Sequence, residues 1–109
     1  MGAGLERAGW RIVARNVRTA SGEIDLIALE GSTLVFVEVK AGRRDARCGP
    51  ERPAHAVGPR KQRRLRRLAR EWLAQRRGPS GVSGYRFDVV GVSFDAAGRA
   101  DVDHIRAAF

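Results

Sequence analysis

Cysteine and long apolar runs are both scarce in this sequence, and each shortage excludes a class of protein. The single cysteine, Cys48, excludes an internal disulfide and any cysteine-rich zinc site, and we interpret it as a free thiol in a loop. The first ten residues, MGAGLERAGW, contain Glu6, Arg7 and no apolar run, which is not typical of a signal peptide or a membrane span. The sequence therefore predicts a cytoplasmic protein with no membrane partner.

Lysine is also almost missing, although the chain is strongly basic. Only Lys40 and Lys61 are lysines among 21 basic residues, and the formal net charge is +9 over 109 residues. This charge favours nucleic acid as the partner, because lysine and arginine release counterions when they bind phosphates. The alternative is that arginine-rich codon usage alone produces the charge. Where arginine serves almost everywhere, a retained lysine indicates a need for a compact charge with a tunable pKa, and Lys40 is such a residue.

The hydrophobic pattern predicts one α/β domain over residues 1–109. WRIVARNV (10–17), residues 23–29 and LVFVEVK (34–40) are typical of strands that pair as an antiparallel meander. A helix follows Gly58-Pro59, because Leu65, Leu68, Ala69, Trp72 and Leu73 recur at helical spacing, which also predicts that Trp72 is buried. YRFDVVGVSF (85–94) is a fourth strand that the helical crossover should place parallel to the third, and residues 102–105 predict an edge strand.

Residues 41–59 are rich in glycine, proline and arginine, and we expect a mobile loop there. Arg43 and Arg44 in this loop, with Lys61 and Arg64 at the start of the helix, are the predicted contacts to a nucleic-acid backbone. A charged face that is only solvated is an equally good interpretation of the helix residues. Asp88 alternates with Phe87 and Val89 on the fourth strand. We expect these two residues to pack in the core and Asp88, on the other face of the strand, to support the functional site.

The turn at Gly31-Ser32 predicts the register of the second and third strands. If the turn is symmetric, opposed residue numbers add up to 63, so that Leu29 faces Leu34, Ile27 faces Phe36, Asp25 faces Glu38 and Glu23 faces Lys40. All of these side chains would lie on one face of the sheet, which is apolar near the turn and charged at its far end.

Two opposed carboxylates need compensation. Asp25 and Glu38 would lie roughly 5 Å apart, where their repulsion is about 3 kcal/mol at an effective dielectric of 20. Mg²⁺ or Mn²⁺ would remove this repulsion, and Lys40 would then lie beside the metal-bound water. The alternative is an ordinary salt-bridged strand end in which Lys40 pairs with Glu23 and Glu38.

An Asp on one strand, Glu-x-Lys on the next and a basic helix after them resemble the PD-(D/E)XK nuclease superfamily. More closely, RNVRTASGEIDLIA, LVFVEVK, Lys61, RFDVV and HIRAAF resemble the bacterial YraN-like family, which is similar to archaeal Holliday junction resolvases. The resemblance covers nearly the whole chain. It implies a restriction-endonuclease-like mixed sheet whose N-terminal helix is cut short here, since GLERAGW corresponds to the end of the family's first helix.

The resemblance also implies roles for individual residues. Asp25 and Glu38 correspond to the metal ligands, Lys40 to the catalytic lysine and Glu23 to a supporting carboxylate. The implied activity is Mg²⁺- or Mn²⁺-dependent hydrolysis of phosphodiester bonds in structured or branched DNA, and the implied assembly is a homodimer, as in junction resolvases. The alternative is a nucleic-acid-binding module that keeps the nuclease-like scaffold without turnover.

Overall fold

The structure, a computed structural model, describes residues 2–43, 58–75 and 78–109, without the side chains of residues 2, 3 and 41–43. Within these ranges the elements in chain order are α1 (Gly2–Arg7), β1 (Arg11–Thr19), β2 (Gly22–Glu30), β3 (Thr33–Arg43), α2 (Pro59–Ala74), β4 (Gly84–Phe94) and β5 (Ala100–Ile105). The third strand therefore continues to Arg43, three residues past its predicted end. Arg44, Cys48 and the rest of the predicted loop up to residue 57 lie outside the described residues, as does the side chain of Arg43.

The strands form one mixed sheet in the order β1-β2-β3-β4-β5. β1, β2 and β3 are antiparallel neighbours, which confirms the predicted meander. β3 and β4, which precede and follow α2 in the chain, pair in parallel, and this confirms the predicted crossover. β5 pairs with β4 at the edge of the sheet. Of the helices in the described ranges, none is long and apolar enough to cross a membrane.

Each face of the sheet carries its own apolar cluster. Leu65, Leu68, Ala69 and Trp72 of α2 pack on one face against Ile27, Leu34 and Phe36. Trp72 is only 2% exposed and makes an edge contact with Phe36, with ring centroids 6.0 Å apart, which confirms its prediction as a core residue. The opposite face packs Leu26, Ala28, Val35, Val37 and Val90 with Leu5 and Trp10. Alternation along β2 and β3 thus supplies both clusters.

The alternation is broken where β1 and β2 pass Asn16 and Asp25. Ile24 would lie on the face of Leu26 if the strand alternated strictly, yet it packs with Val17 in the α2 cluster. Asn16, between the pairs Arg15–Leu26 and Val17–Ile24, has φ +49°, a left-handed conformation that asparagine adopts more readily than most residues. The far end of the β1–β2 hairpin therefore turns toward α2, with Asp25 at the break.

Candidate functional site

The sheet opens between β2 and β3. Their pairing matches the predicted register from Glu30–Thr33 to Leu26–Val37 and ends there. Beyond this point β2 stays paired with β1 down to Gly22, while β3 stays paired with β4 to Arg43. The two halves of the sheet separate, and we call the opening the β2–β3 fork.

The predicted cross-strand pairs Asp25–Glu38 and Glu23–Lys40 are therefore wrong as ladder pairs. The physical reason is visible at Asp25, whose Oδ2 accepts a hydrogen bond from the Val39 backbone N–H at 2.8 Å. A side-chain oxygen here takes a β3 donor that regular pairing would direct to a β2 carbonyl. The carboxylate of Asp25 thus bridges the strands at the mouth of the fork.

The fork and the start of α2 enclose one small cleft. Its volume is about 170 Å³, and its lining is Glu23, Asp25 and Glu38 from the strands with Lys61, Arg64, Leu65 and Leu68 from α2. We call it the acidic cleft. It brings together both predicted metal ligands, the predicted supporting carboxylate Glu23 and both predicted backbone contacts of the helix.

Lys61 lies deeper in the site than the sequence predicted. Its Nζ is 2.7 Å from Oε1 of Glu38, whose side chain is only 10% exposed. Sequence reasoning assigned Lys61 to a nucleic-acid backbone and missed this ion pair. Two signals pointed to it: Lys61 is the other retained lysine, and extending the apolar stripe of Leu65 and Leu68 back by one turn places position 61 on the sheet-facing side.

The chain's two lysines meet beside Glu38. Contact with the Lys61 ammonium, followed by burial, lowers the pKa of Lys40, although the charges of Glu38 and Asp25 oppose this shift. Burial by itself would lower the pKa of Lys61 as well, but contact with Glu38 and Lys40 and the charge of Asp25 raise it. Lys40 is therefore the lysine that gives up its proton more readily.

The start of α2 positions the cations of the cleft. Gly58 is extended with ψ 175° and Pro59 occupies the first turn, where its missing N–H costs no helical hydrogen bond. Lys61 and Arg64 then project from the first two turns. A Cβ atom at Gly22 would lie 2.8 Å from Nη2 of Arg64, so the absence of a side chain at Gly22 leaves room for this guanidinium beside the cleft.

The prediction that Asp88 supports this site is wrong. Asp88 is the parallel neighbour of Val37, so it lies on the face opposite Glu38. There its buried carboxylate accepts hydrogen bonds from Arg86 at 2.8 and 3.0 Å and from the Ala107 backbone N–H at 2.9 Å, and Oδ2 is 2.7 Å from His104 Nε2. Alternation correctly divided β4 into two faces, but only the register between β3 and β4 decides which face carries the cleft.

The oxygen donors of the cleft fit a hard divalent cation. Asp25 and Glu38 both act on the same lysine ammonium groups, so their charges lie close together. Among the described residues no three His, Cys, Asp or Glu side chains gather as a ligand set. Two carboxylates are few for zinc, but Mg²⁺ or Mn²⁺ commonly takes one or two and completes its shell with water and substrate phosphate.

Comparison with known proteins decides the family. Residues 2–92 match the uncharacterised protein family UPF0102. The chain belongs to this family. UPF0102 is the YraN-like family that the motifs indicated, so that prediction is confirmed.

The curated UPF0102 relatives align with almost the whole chain. A UPF0102 protein of Symbiobacterium thermophilum is 52% identical over 105 residues, which are 96% of this chain and 85% of the relative. A UPF0102 protein of Rhodococcus opacus is 47% identical with the same coverage, and one of Streptomyces griseus is 45% identical over 94% of this chain and 82% of its own. Membership in UPF0102 by itself assigns no activity.

Proposed function

We propose that this protein is a Mg²⁺- or Mn²⁺-dependent endonuclease that hydrolyses phosphodiester bonds in structured or branched DNA, on a restriction-endonuclease-like scaffold. The observation that carries the proposal is the convergence at the β2–β3 fork. Asp25 and Glu38 share the lining of the acidic cleft with Lys61, which binds Glu38, and Lys40, the other lysine of a chain rich in arginine, contacts Lys61 beside that lining. An ordinary surface ion pair does not require this selection of lysine over arginine.

Four charged residues in or beside the acidic cleft have chemical tasks in this reaction. Asp25 and Glu38 would hold the divalent cation, which when bound polarises the phosphate and activates water. Lys40, whose pKa is lowered beside Lys61, would orient the attacking water and stabilise charge that develops on the phosphate. Arg64 lies at the edge of the cleft and would bind the phosphate backbone, together with the exposed arginines of α2.

The basic surface supports an anionic polymer as the substrate but does not select a base sequence. Arginine side chains bound to phosphates fix the position of a duplex, whereas sequence is read at base edges in the grooves. We therefore propose recognition of DNA shape, such as a branch, in preference to a sequence motif.

The test is cleavage of labelled branched and linear DNA with Mg²⁺ or Mn²⁺. Wild type should cleave, and Asp25→Asn, Glu38→Gln and Lys40→Met should each lose about 100-fold or more in rate, because each removes a charge that acts in the transition state. Asp95→Asn is the matched control: it removes a carboxylate charge in the β4–β5 connection, where Asp95 binds Arg99 and the backbone N–H groups of Ala97 and Arg99. Equal rates for wild type and the three cleft variants would disprove the proposal.

A non-catalytic nucleic-acid-binding module remains the second candidate, and one observation favours it. Lys61 already neutralises Glu38 at 2.7 Å, so the carboxylates of the cleft do not need a metal ion for compensation. This function predicts binding that falls with salt but is unchanged by Mg²⁺, with no cleavage of any DNA. Measuring affinity in EDTA and in Ca²⁺, a hard cation that also takes carboxylate oxygen ligands, separates the two functions.

A further inference from the structure

Lys61 and a divalent cation have the same electrostatic partner. The Lys61 ammonium contacts Oε1 of Glu38 at 2.7 Å, and the Glu38 side chain is nearly buried. A carboxylate in that environment requires a positive partner, because a buried charge without one is strongly unfavourable. Lys61 provides that partner within the chain itself.

The acidic cleft, taken together with Lys40 beside it, is balanced in charge. Glu23, Asp25 and Glu38 contribute three negative charges, the lining residues Lys61 and Arg64 contribute two positive charges, and Lys40, which contacts Lys61 next to the lining, contributes the third. Asp25 has one oxygen engaged by the Val39 N–H. A dication that enters without displacing a cation would leave the cleft with an excess of two positive charges, which opposes its binding.

Resting on the proposed function, we infer that Lys61 is an internal competitor of the divalent cation: its ammonium holds Glu38 in the metal-free protein and must leave Glu38 before that carboxylate binds metal. The lysine is suited to such an exchange, because its side chain is 33% exposed and ends in a compact charge on a flexible stem. Lys61 thereby sets the metal affinity of the cleft.

The experiment measures Mn²⁺ affinity directly, by electron paramagnetic resonance of free Mn²⁺ and by calorimetry, without DNA. Lys61→Gln should bind Mn²⁺ about tenfold more tightly than wild type, because the substitution removes the ammonium that competes with the metal for Glu38. A factor of about ten lies within the range typical of coupling between two binding events. Arg11→Gln is the matched control, because it also removes one exposed positive charge but at the opposite end of β1 and β2, opposite Leu29. Its affinity should change less than about twofold.

Two further variants separate charge from packing. Lys61→Arg keeps a cation at the position and should bind Mn²⁺ no more tightly than wild type. Glu38→Gln removes the shared carboxylate, and adding Lys61→Gln to it should give no further gain. Thermal unfolding checks that each variant is folded, and added Mn²⁺ should raise the Tm of Lys61→Gln more than that of wild type.

The outcomes also separate this inference from the proposed function. Mn²⁺ binding by wild type with an unchanged or weaker affinity in Lys61→Gln overturns the inference and leaves the endonuclease proposal standing. A tighter Lys61→Gln site in a protein that cleaves no DNA supports the inference and overturns the endonuclease. Tightening by Lys61→Arg, or tightening that persists in the Glu38→Gln background, overturns the competition. Failure of every variant to bind Mn²⁺ at millimolar concentration overturns both.

Discussion

One oxygen of the Asp25 carboxylate is already used by the fold. Oδ2 accepts the Val39 N–H at 2.8 Å where the β2–β3 pairing has ended, and the same carboxylate lines the acidic cleft. The residue therefore combines a hydrogen bond that needs only an acceptor with a chemical task that needs a charge. Asparagine and alanine separate these two requirements.

We predict that Asp25→Asn and Asp25→Ala lose cleavage equally but differ in stability. Both substitutions remove the negative charge, whereas only asparagine keeps an oxygen that can accept the Val39 N–H. The free energy of unfolding of Asp25→Ala should therefore be about 1 kcal/mol below that of Asp25→Asn. Urea unfolding of the two variants measures the difference.

The comparison between the two variants matters more than either value alone. Removing the charge also relieves repulsion with Glu38, and that gain is common to both variants. If Asp25→Asn and Asp25→Ala have equal stability, the hydrogen bond to Val39 does not hold the fork together.

At the scale of elements, the described strands and α2 follow the sequence pattern closely. Alternation in β2 and β3 predicted the register that the pairs Leu29–Leu34 and Ile27–Phe36 confirm, and the stripe of α2 predicted that Trp72 is buried. These features depend on local periodicity and on one short turn, so a single sequence contains the information.

The end of the β2–β3 pairing could not be predicted in the same way. A symmetric turn implies that pairing continues to Asp25, whereas the structure has a side-chain hydrogen bond from the Val39 N–H to Asp25, beside the left-handed Asn16 of β1, and strand alternation does not predict these features. The face of the sheet on which Asp88 lies could not be predicted either, because it depends on the register between β3 and β4, which are far apart in the chain. The sequence thus predicted the strand residues of the acidic cleft, but it did not predict that Lys61 of α2 would form an ion pair with Glu38.

Asp88 links β4 to the C-terminal end of β5 on the face opposite the acidic cleft. Arg86 binds both Asp88 and Glu30 of β2, and the Ala107 N–H and His104 reach the same Asp88 carboxylate. Burial alone would raise the pKa of Asp88, but the hydrogen bonds from Arg86, Ala107 and His104 outweigh it and hold the pKa below its ordinary value.

We predict that this carboxylate contributes to acid sensitivity. A group whose pKa is lower in the folded than in the unfolded protein stabilises the fold above the unfolded pKa, and the contribution is lost as the pH falls through the folded pKa. The stabilisation from Asp88 should therefore be complete at neutral pH and decline only below about 3.8, its ordinary value. Asp88→Asn should be less stable by roughly 2–4 kcal/mol at pH 7.

Urea unfolding of wild type and Asp88→Asn between pH 7 and pH 3 measures this contribution. The difference between the two proteins should stay constant from pH 7 to about pH 5 and narrow at the acid end. The series is repeated in a His104→Gln background, which removes the titratable neighbour of Asp88. A difference that is unchanged down to pH 3 would show that Asp88 does not stabilise the fold through its charge.

At the scale of the whole molecule, the arginines that produce the net charge of +9 include two groups, those exposed on α2 and those paired with carboxylates within the protein. α2 exposes Arg60, Arg63 and Arg67 on the helix that also lines the acidic cleft. Other arginines are engaged within the protein: Arg86 binds Asp88 and Glu30, and Arg99 binds Asp95 at 3.2 Å. If the positive charge functions in nucleic-acid binding, the arginines of α2 should account for most of the DNA affinity. If codon usage alone produced the charge, removing any exposed arginine should change the DNA affinity equally.

Salt dependence distinguishes these cases. The logarithm of the DNA association constant should fall linearly with the logarithm of salt concentration, with a slope of about −0.9 for each phosphate neutralised. Arg63→Gln should reduce the steepness of that slope by about one unit and weaken branched and linear DNA alike, because a phosphate contact carries no sequence information.

Arg99→Gln removes the same charge from the β4–β5 connection and should leave the slope unchanged, since its guanidinium already pairs with Asp95. Fluorescence anisotropy of labelled DNA between 50 and 200 mM salt provides the measurement, and a fourfold change in salt amplifies a one-unit difference in slope to about fourfold in affinity. Equal effects of Arg63→Gln and Arg99→Gln would mean that total charge, rather than the surface beside the acidic cleft, attracts DNA. Binding would then give no support to a substrate path along α2, even if the cleft itself binds metal.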